Sequence, residues 1–192
     1  IFADHDYEVT VYPTRARLDC TRKVLEDAGR FDLVVCCGGD GTLNEMVSGM
    51  MQRQDRRPMG YIPLGSTNDL AVSLRLPTRV EEAALRAVTG NEFHMDVGTL
   101  NDRYFNYIAA FGAFTETSYA TPQEIKNALG HLAYILEGVK SLGKILPIHV
   151  KITADDEQFE EDYLFGAVTN TISLGGVLKL DPEKVLLDDG MY

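Results

Sequence analysis

The order of patterns along the chain predicts an α/β protein: an N-terminal parallel-sheet domain followed by a second, mostly antiparallel β domain. Three observations carry this. Two short apolar runs, Leu33 to Cys37 and Met59 to Ile62, each pass through a glycine-containing turn into a helical pattern, the order of a parallel sheet with helices on its faces. From about Asn91 the pattern changes to strand-like runs separated by Asn-Asp and Asp-Asp turns, which is antiparallel grammar. A single helical stretch interrupts that second part, opening at Thr121-Pro122-Gln123-Glu124 with capping-box spacing and a proline at the first helical position. The expected division is 1–91 and 92–192.

In order, Glu8 to Tyr12 reads as a strand, Asp19 to Ala28 as a helix, Asp32 to Cys37 as a strand and Leu43 to Met51 as a helix. In the last, Leu43, Met46, Val47, Met50 and Met51 recur at i, i+3, i+4, i+7 and i+8 and make one apolar face directed at a core. Met59 to Ile62 is a strand and Glu81 to Val88 a short amphipathic helix. Beyond Asn91 the strand-like runs are Glu92 to Leu100, Tyr104 to Phe111, Ile148 to Ala154 and Phe159 to Val168. In the interrupting helix, Ile125, Leu129, Leu132, Leu136, Val139 and Leu142 form a continuous stripe. It either packs against the second domain or, with Tyr134 and Ile145, borders an entrance for an acyl chain.

Composition excludes several classes. With 45% apolar residues in 192, the chain can bury a substantial core. No run approaches the roughly 20 apolar residues needed to span a bilayer, and the start lacks a basic-then-apolar signal, so a cytosolic location is expected. The formal charge of −11 argues against nucleic acid and against broad electrostatic attachment to an anionic membrane. The densest basic group, Arg53 with Arg56 and Arg57, reads as a solvated loop. Cys20, Cys36 and Cys37 have neither metal nor redox spacing, and reduced thiols are expected. His5, His94, His131 and His149 likewise lack metal spacing. The stretch Gly138 to Lys144 matches seven positions of a P-loop, but Ile145 stands where a hydroxyl is needed and the context is helical, so it is not one.

The chemistry concentrates at two turns. Gly38-Gly39-Asp40-Gly41-Thr42-Leu43-Asn44-Glu45 follows an apolar strand and opens a helix. Glycines let backbone N–H groups approach a phosphate, and a helix start adds partial positive charge. Asp40 is then repelled by phosphate oxygens unless a cation such as Mg²⁺ lies between them. The same pattern also serves as a plain tight turn. A second turn, Pro63-Leu64-Gly65-Ser66-Thr67-Asn68-Asp69, follows the next strand, and neighbouring parallel strands release their loops at one edge, where ligands of such sheets bind.

Gly39-Asp40-Gly41-Thr42 with Asn44 and Glu45, then Pro63-x-Gly65-x-Thr67-Asn68-Asp69, resembles the catalytic domain of the diacylglycerol kinase and sphingosine kinase superfamily in its soluble bacterial form. Met95-Asp96-Val97-Gly98, Thr169-Asn170-Thr171 with Gly175-Gly176, and Asp188-Asp189-Gly190 also fit, so the resemblance covers essentially the whole chain. The shorter Gly-Gly-Asp-Gly core is shared with NAD kinases and phosphofructokinases.

The resemblance implies an NAD kinase-like nucleotide domain and an ATP- and Mg²⁺-dependent lipid kinase that converts diacylglycerol to phosphatidic acid. Another lipid alcohol, NAD, or a non-catalytic nucleotide-binding regulator remain alternatives. ATP would meet Thr14, the backbone of Gly39, Asp40, Gly41, Thr42, Leu43, Asn44 and Glu45, and the Thr67 hydroxyl. Asp40 and Asp96 would join through water and Mg²⁺ near the transferring phosphate, although Asp96 is also acceptable as a turn residue. Leu186, Asp189 and Met191 would hold a second Mg²⁺, although Asp-Asp-Gly is equally an ordinary turn. The partners implied are ATP and a membrane lipid met by peripheral contact, with a homodimer among the assemblies allowed. The family's glutamate base falls beyond Tyr192, and a strand, an Asn-Pro loop and a helix are expected before residue 1. Truncation at both ends and little turnover by residues 1–192 alone are therefore expected.

Overall fold

A computed structural model describes residues 1–112, 146–174, 178–179, 181 and 187–188. The helix expected from Thr121 lies outside them, as do Gly175 and Gly176. The described part is mixed α/β, with one parallel strand pair and several antiparallel ones. Contacts divide the chain into two compact units, Ile1–Ile108 with Thr169–Tyr192, and Ala109–Val168.

In the first unit the helices are α1 (Asp19–Asp27), α2 (Asp40–Met51), α3 (Asp69–Ser73) and α4 (Val80–Thr89). Strands β1 (Val34–Gly38) and β2 (Met59–Pro63) pair in parallel, in a register running from Val34 opposite Met59 to Gly38 opposite Pro63. The two strands therefore end level. The Leu64 N–H continues the ladder onto the Gly38 carbonyl at 2.8 Å, so both following turns leave the same edge.

Helix α2 begins at Asp40, separated from β1 only by Gly39 and three residues earlier than the apolar pattern suggests. Gly39 takes the extended N-cap conformation, and its carbonyl accepts the Leu43 N–H at 3.0 Å. Asp40 at the first helical position suits the positive end of the helix. The methionine stripe is core as expected, with Leu43, Met46, Val47 and Met50 buried against Val24, Cys36, Tyr61 and Leu70. Met46 is 1% exposed. Met46→Ala is expected to destabilise the fold by about 2–5 kcal/mol through lost transfer energy and a residual cavity, measured by urea unfolding with an unchanged m-value.

The strand expected over Glu8 to Tyr12 is not formed. These residues carry no strand, Val11 is 81% exposed, and an extended segment becomes a strand only through a ladder with a neighbour. Tyr12 instead lies under the Lys23 ammonium of α1, 4.7 Å from its ring centre. In the basic loop Arg56 is exposed as expected, but Arg53 and Arg57 are not simply solvated. The Arg53 guanidinium donates to the carbonyls of Val24 and Leu25 near the end of α1 and pairs with Asp55 at 2.7 Å, and Arg57 donates to the Gly29 carbonyl at 2.9 Å. Cations near the C-terminal end of a helix hydrogen-bond its last carbonyls and suit the negative end of its dipole.

The expected run Glu92 to Leu100 is strand only over β3 (Gly98–Leu100), which pairs with β4 (Arg103–Phe105) around Asn101 in the left-handed region. Tyr104 to Phe111 is split into β4 and β5 (Ile108–Gly112) because two residues between them turn their backbone elsewhere. The Asn106 N–H goes to Asn44 Oδ1 at 3.3 Å, and the Tyr107 carbonyl accepts Asn170 N–H and Thr169 Oγ1 at 2.8 and 2.7 Å. Strands β9 (Ser173–Leu174) and β10 (Leu178–Lys179) pair antiparallel.

Within the second unit, β6 (Ile148–Ala154) and β7 (Glu157–Tyr163) form a hairpin whose turn places Asp155 at a φ of 52°. Asp and Asn reach that region at low cost. Phe159 to Val168 breaks at Leu164 into β7 and β8 (Phe165–Thr169), the latter paired with β5. His149 is exposed and hydrogen-bonds Asp162 at 2.8 Å and Glu160 at 3.4 Å, and these acidic partners raise its pKa. No described helix is long and apolar enough to cross a membrane.

Candidate active site

The two turns meet. A Cβ placed on Gly65 would lie 2.6 Å from the Gly39 Cα, and one on Gly39 would lie 3.1 Å from the Gly65 Cα. This backbone-to-backbone contact needs glycine on both sides. The second turn is held shut by Asn68 in the left-handed conformation (φ 54°). Its Oδ1 accepts the Gly65 N–H at 2.9 Å and the Tyr61 hydroxyl at 3.1 Å, while its Nδ2 donates to the Gly65 carbonyl at 2.7 Å. Burial pushes the Tyr61 hydroxyl pKa upward, so Tyr61 stays a neutral donor.

Asp40 therefore stands at a junction: the first residue of α2, level with the start of α3. Burial, and secondarily the negative charge of Asp69, pushes its carboxyl above the ordinary carboxylate range. The N–H groups of Asp69, Asn68 and Leu70 lie close enough to oppose that rise, yet Oδ1 is buried without a hydrogen-bond partner. Asp69 is 1% exposed. The sequence reading placed it in the second turn without giving it a role, because a polar residue inside a turn reads as solvated; its signal was its place at a helix start directly after Asn68.

The remaining expected residues fall into three groups. Gly39 to Glu45 form the N-cap and first turns of α2, with Gly41 exposed and nothing within 4 Å of a Cβ placed there. The Glu45 carboxylate accepts the Leu18 N–H at 2.9 Å, and its carbonyl accepts Thr21 Oγ1 at 2.8 Å. This ties the loop carrying the exposed Thr14 to α2. An open cleft lined by Tyr12, Pro13, Arg15, Ala16, Asp19 and Arg22 lies along that loop. Buried Asp19 orders it by accepting the Arg15 N–H at 2.9 Å and pairing with Arg22. Thr67 is half-buried on the second turn.

Asn44 takes a different part from Glu45. Its Nδ2 donates to the Tyr104 carbonyl at 3.4 Å and its Oδ1 accepts the Asn106 N–H, so it faces protein. Asp96 is held through its backbone: its N–H donates to the Leu187 carbonyl at 2.9 Å and its carbonyl accepts Asn170 Nδ2 at 3.0 Å. Leu186, Asp189 and Met191 lie outside the described residues.

The thiols are all unpaired, with Cys36 buried and Cys37 exposed. Burial pushes Cys20 to about 11 and Cys36 to about 12, so neither is a thiolate at neutral pH.

Among the described residues no group of three or more His, Cys, Asp or Glu is arranged to hold a metal ion. Mg²⁺ does not require such a cage, since it keeps several waters and is commonly bound by one or two carboxylates plus phosphate. The partnerless buried oxygen of Asp40 fits that mode of binding.

The model of the diacylglycerol kinase catalytic domain matches residues 1–100, just over half of the chain. Diacylglycerol kinase of Bacillus subtilis (strain 168) is 38% identical over 193 residues, which cover 100% of this chain and 63% of that protein. The Staphylococcus saprophyticus diacylglycerol kinase is 34% identical, covering 97% and 61%. A crystal structure of a diacylglycerol kinase from Bacillus anthracis str. Sterne superimposes with a TM-score of 0.74 at 29% identity, covering 93% of this chain and 58% of that one. The chain thus spans about three fifths of the length of these relatives. With both glycine turns meeting at one sheet edge inside the matched residues, the chain belongs to the diacylglycerol kinase catalytic domain family.

Proposed function

We propose that the full-length protein transfers the γ-phosphate of ATP to the free hydroxyl of diacylglycerol, giving phosphatidic acid. The observation that carries this is the contact between Gly39 and Gly65 at the level ends of β1 and β2, which puts two phosphate-compatible turns and the start of α2 at one mouth in a family member. The fold of this part is taken as NAD kinase-like, with 1–91 serving the nucleotide and 92–192 serving the acceptor.

In this proposal the N–H groups at the start of α2, from Gly39 to Glu45, receive the phosphates, because the first N–H groups of a helix lack intrahelical partners and carry the positive end of its dipole. Thr14 and the Thr67 hydroxyl flank the nucleotide from the two adjoining loops. Phosphoryl transfer depends chiefly on positioning and on neutralising phosphate charge, and Mg²⁺, when bound, supplies that neutralisation. Asp40 and Asp96 would hold it, the former through its partnerless Oδ1. Asp69, adjacent in charge to Asp40, adds to the negative potential that draws a cation there. Leu186, Asp189 and Met191 are assigned a second Mg²⁺ by resemblance alone, and the base for the acceptor hydroxyl is assigned outside residues 1–192. Peripheral contact with the membrane, a cytoplasmic location and a homodimer complete the proposal.

The test incubates full-length protein with labelled ATP, Mg²⁺ and either diacylglycerol in mixed micelles or NAD. Label in an organic-extractable product is expected. Label in NADP, or in neither product, sinks the assignment.

A further inference from the structure

The stretch Thr169 to Ile172 gathers the parts of the candidate site through buried polar contacts. Asn170 and Thr171 are each 0% exposed. The Asn170 Nδ2 donates to two carbonyls at once, that of Asp96 at 3.0 Å and that of Leu187 at 3.0 Å. The Asp96 N–H closes the triangle onto the same Leu187 carbonyl at 2.9 Å. On its other side the Asn170 N–H grips the Tyr107 carbonyl, beside Asn106, which Asn44 of α2 holds. One residue on, Thr171 Oγ1 hydrogen-bonds Ser73 Oγ, which donates to the Asp69 carbonyl and accepts the Ile172 N–H.

The helix that starts with Asp40, the helix that starts with Asp69, the segment at Asp96 and the bend at Leu187 are therefore all referred to one segment. An amide is suited to this place: among uncharged side chains only Asn and Gln present two donors on one planar nitrogen, and a buried amide with unmet hydrogen-bonding capacity is costly unless its geometry is used. Asn170 Oδ1 is itself buried without a partner.

We propose that Asn170 is a positioning residue for phosphoryl transfer, fixing the backbone at Asp96 against the bend at Leu187 so that Asp96 stands at a set distance from the Asp40 junction. This rests on the kinase reading above. Groups that orient a catalytic carboxylate without touching substrate typically change activity about 10- to 100-fold, and a displacement of about 1 Å can have the same effect.

The experiment compares full-length wild type, Asn170→Ala and the near-isosteric Asn170→Asp. It reads kcat, the KM for ATP, the Mg²⁺ concentration giving half-maximal rate, and hydrogen exchange in peptides covering 95–98 and 187–188. The expected result is kcat lowered about 10- to 100-fold with the KM for ATP within about twofold, a raised Mg²⁺ requirement, and lost protection at both peptides. Should Asn170→Ala fail to fold, Asn170→Asp carries the same readouts, since its carboxylate cannot donate to either carbonyl at neutral pH. A folded variant with kcat and Mg²⁺ requirement within twofold of wild type overturns the role of Asn170 alone. Absence of lipid product from the wild type overturns the kinase reading, and this positioning role with it.

Discussion

Asp40→Asn is expected to lower phosphoryl transfer by roughly 10²- to 10³-fold while making the protein more resistant to heat at neutral pH. The first effect follows if the carboxylate holds the cation that neutralises the phosphates, since an amide of the same shape carries no charge. The second follows from linkage. Burial, followed by the charge of Asp69, raises the folded pKa of Asp40 above its ordinary value of 3.8. A carboxyl raised in this way contributes stability that is fully present below its unfolded pKa and is lost as pH rises through the folded pKa. At neutral pH the ionised side chain therefore weakens the fold, and removing the charge relieves it, a trade of stability against activity common at active sites. The melting advantage of the variant should shrink on acidification towards about pH 4. Calorimetry across that range, beside a turnover assay, checks both halves. Wild-type turnover with ordinary Mg²⁺ dependence would remove the metal role from Asp40, and a pH-independent melting difference would remove the linkage argument.

The second large effect concerns the paired glycines. In Gly65→Ala the new methyl would sit 2.6 Å from the Gly39 Cα and 2.7 Å from Asn68 Oδ1, and the nearest obstacle is main chain that cannot rotate away. The turns must separate, at a cost of about 1–3 kcal/mol and, because they frame the proposed nucleotide mouth, with roughly a 100-fold loss of kcat/KM. Gly41→Ala is the informative contrast. Nothing lies within 4 Å of a Cβ there, and within a helix alanine is favoured over glycine by up to about 1 kcal/mol. This variant should be as stable as wild type or more so, yet raise the KM for ATP about tenfold, equivalent to roughly 1.4 kcal/mol of lost binding, because the methyl occupies the approach of a phosphate to the first N–H groups of α2. Equal KM values for Gly41→Ala and wild type would show that no phosphate comes that way.

Much of this was legible in the residues. The apolar runs at β1 and β2, the 3.6-residue recurrence in α2 and the turns at Asn101-Asp102 and Asp155-Asp156 are local signals, and the structure follows them. That the two turns leave one sheet edge was predictable from the order of the strands, whereas the register that ends both strands level was not. Less legible was anything decided by a distant partner. Glu8 to Tyr12 has the composition of a strand, but pairing is a property of two segments. Tyr104 to Phe111 has an unbroken β pattern, and only the demands of Asn44, Thr169 and Asn170 on Asn106 and Tyr107 divide it. Asn106, Asn170, Thr171 and Asp69 are polar and would ordinarily be placed outside. Their near-complete burial depends on contacts reaching across as many as 98 positions of chain, such as that between Ser73 and Thr171.

The anchoring of residues 13–18 by Glu45 has a thermodynamic consequence. Its carboxylate and carbonyl, fixed to Leu18 and Thr21, hold the Thr14 loop in shape during folding, before any ligand arrives. Immobilising backbone costs on the order of 1–2 kcal/mol per residue in lost freedom, and for this loop that loss falls on folding and not on association. Affinity for a small anionic ligand at that rim can thus be high from few contacts, and Glu45→Gln, which retains an acceptor, should preserve it better than Glu45→Ala.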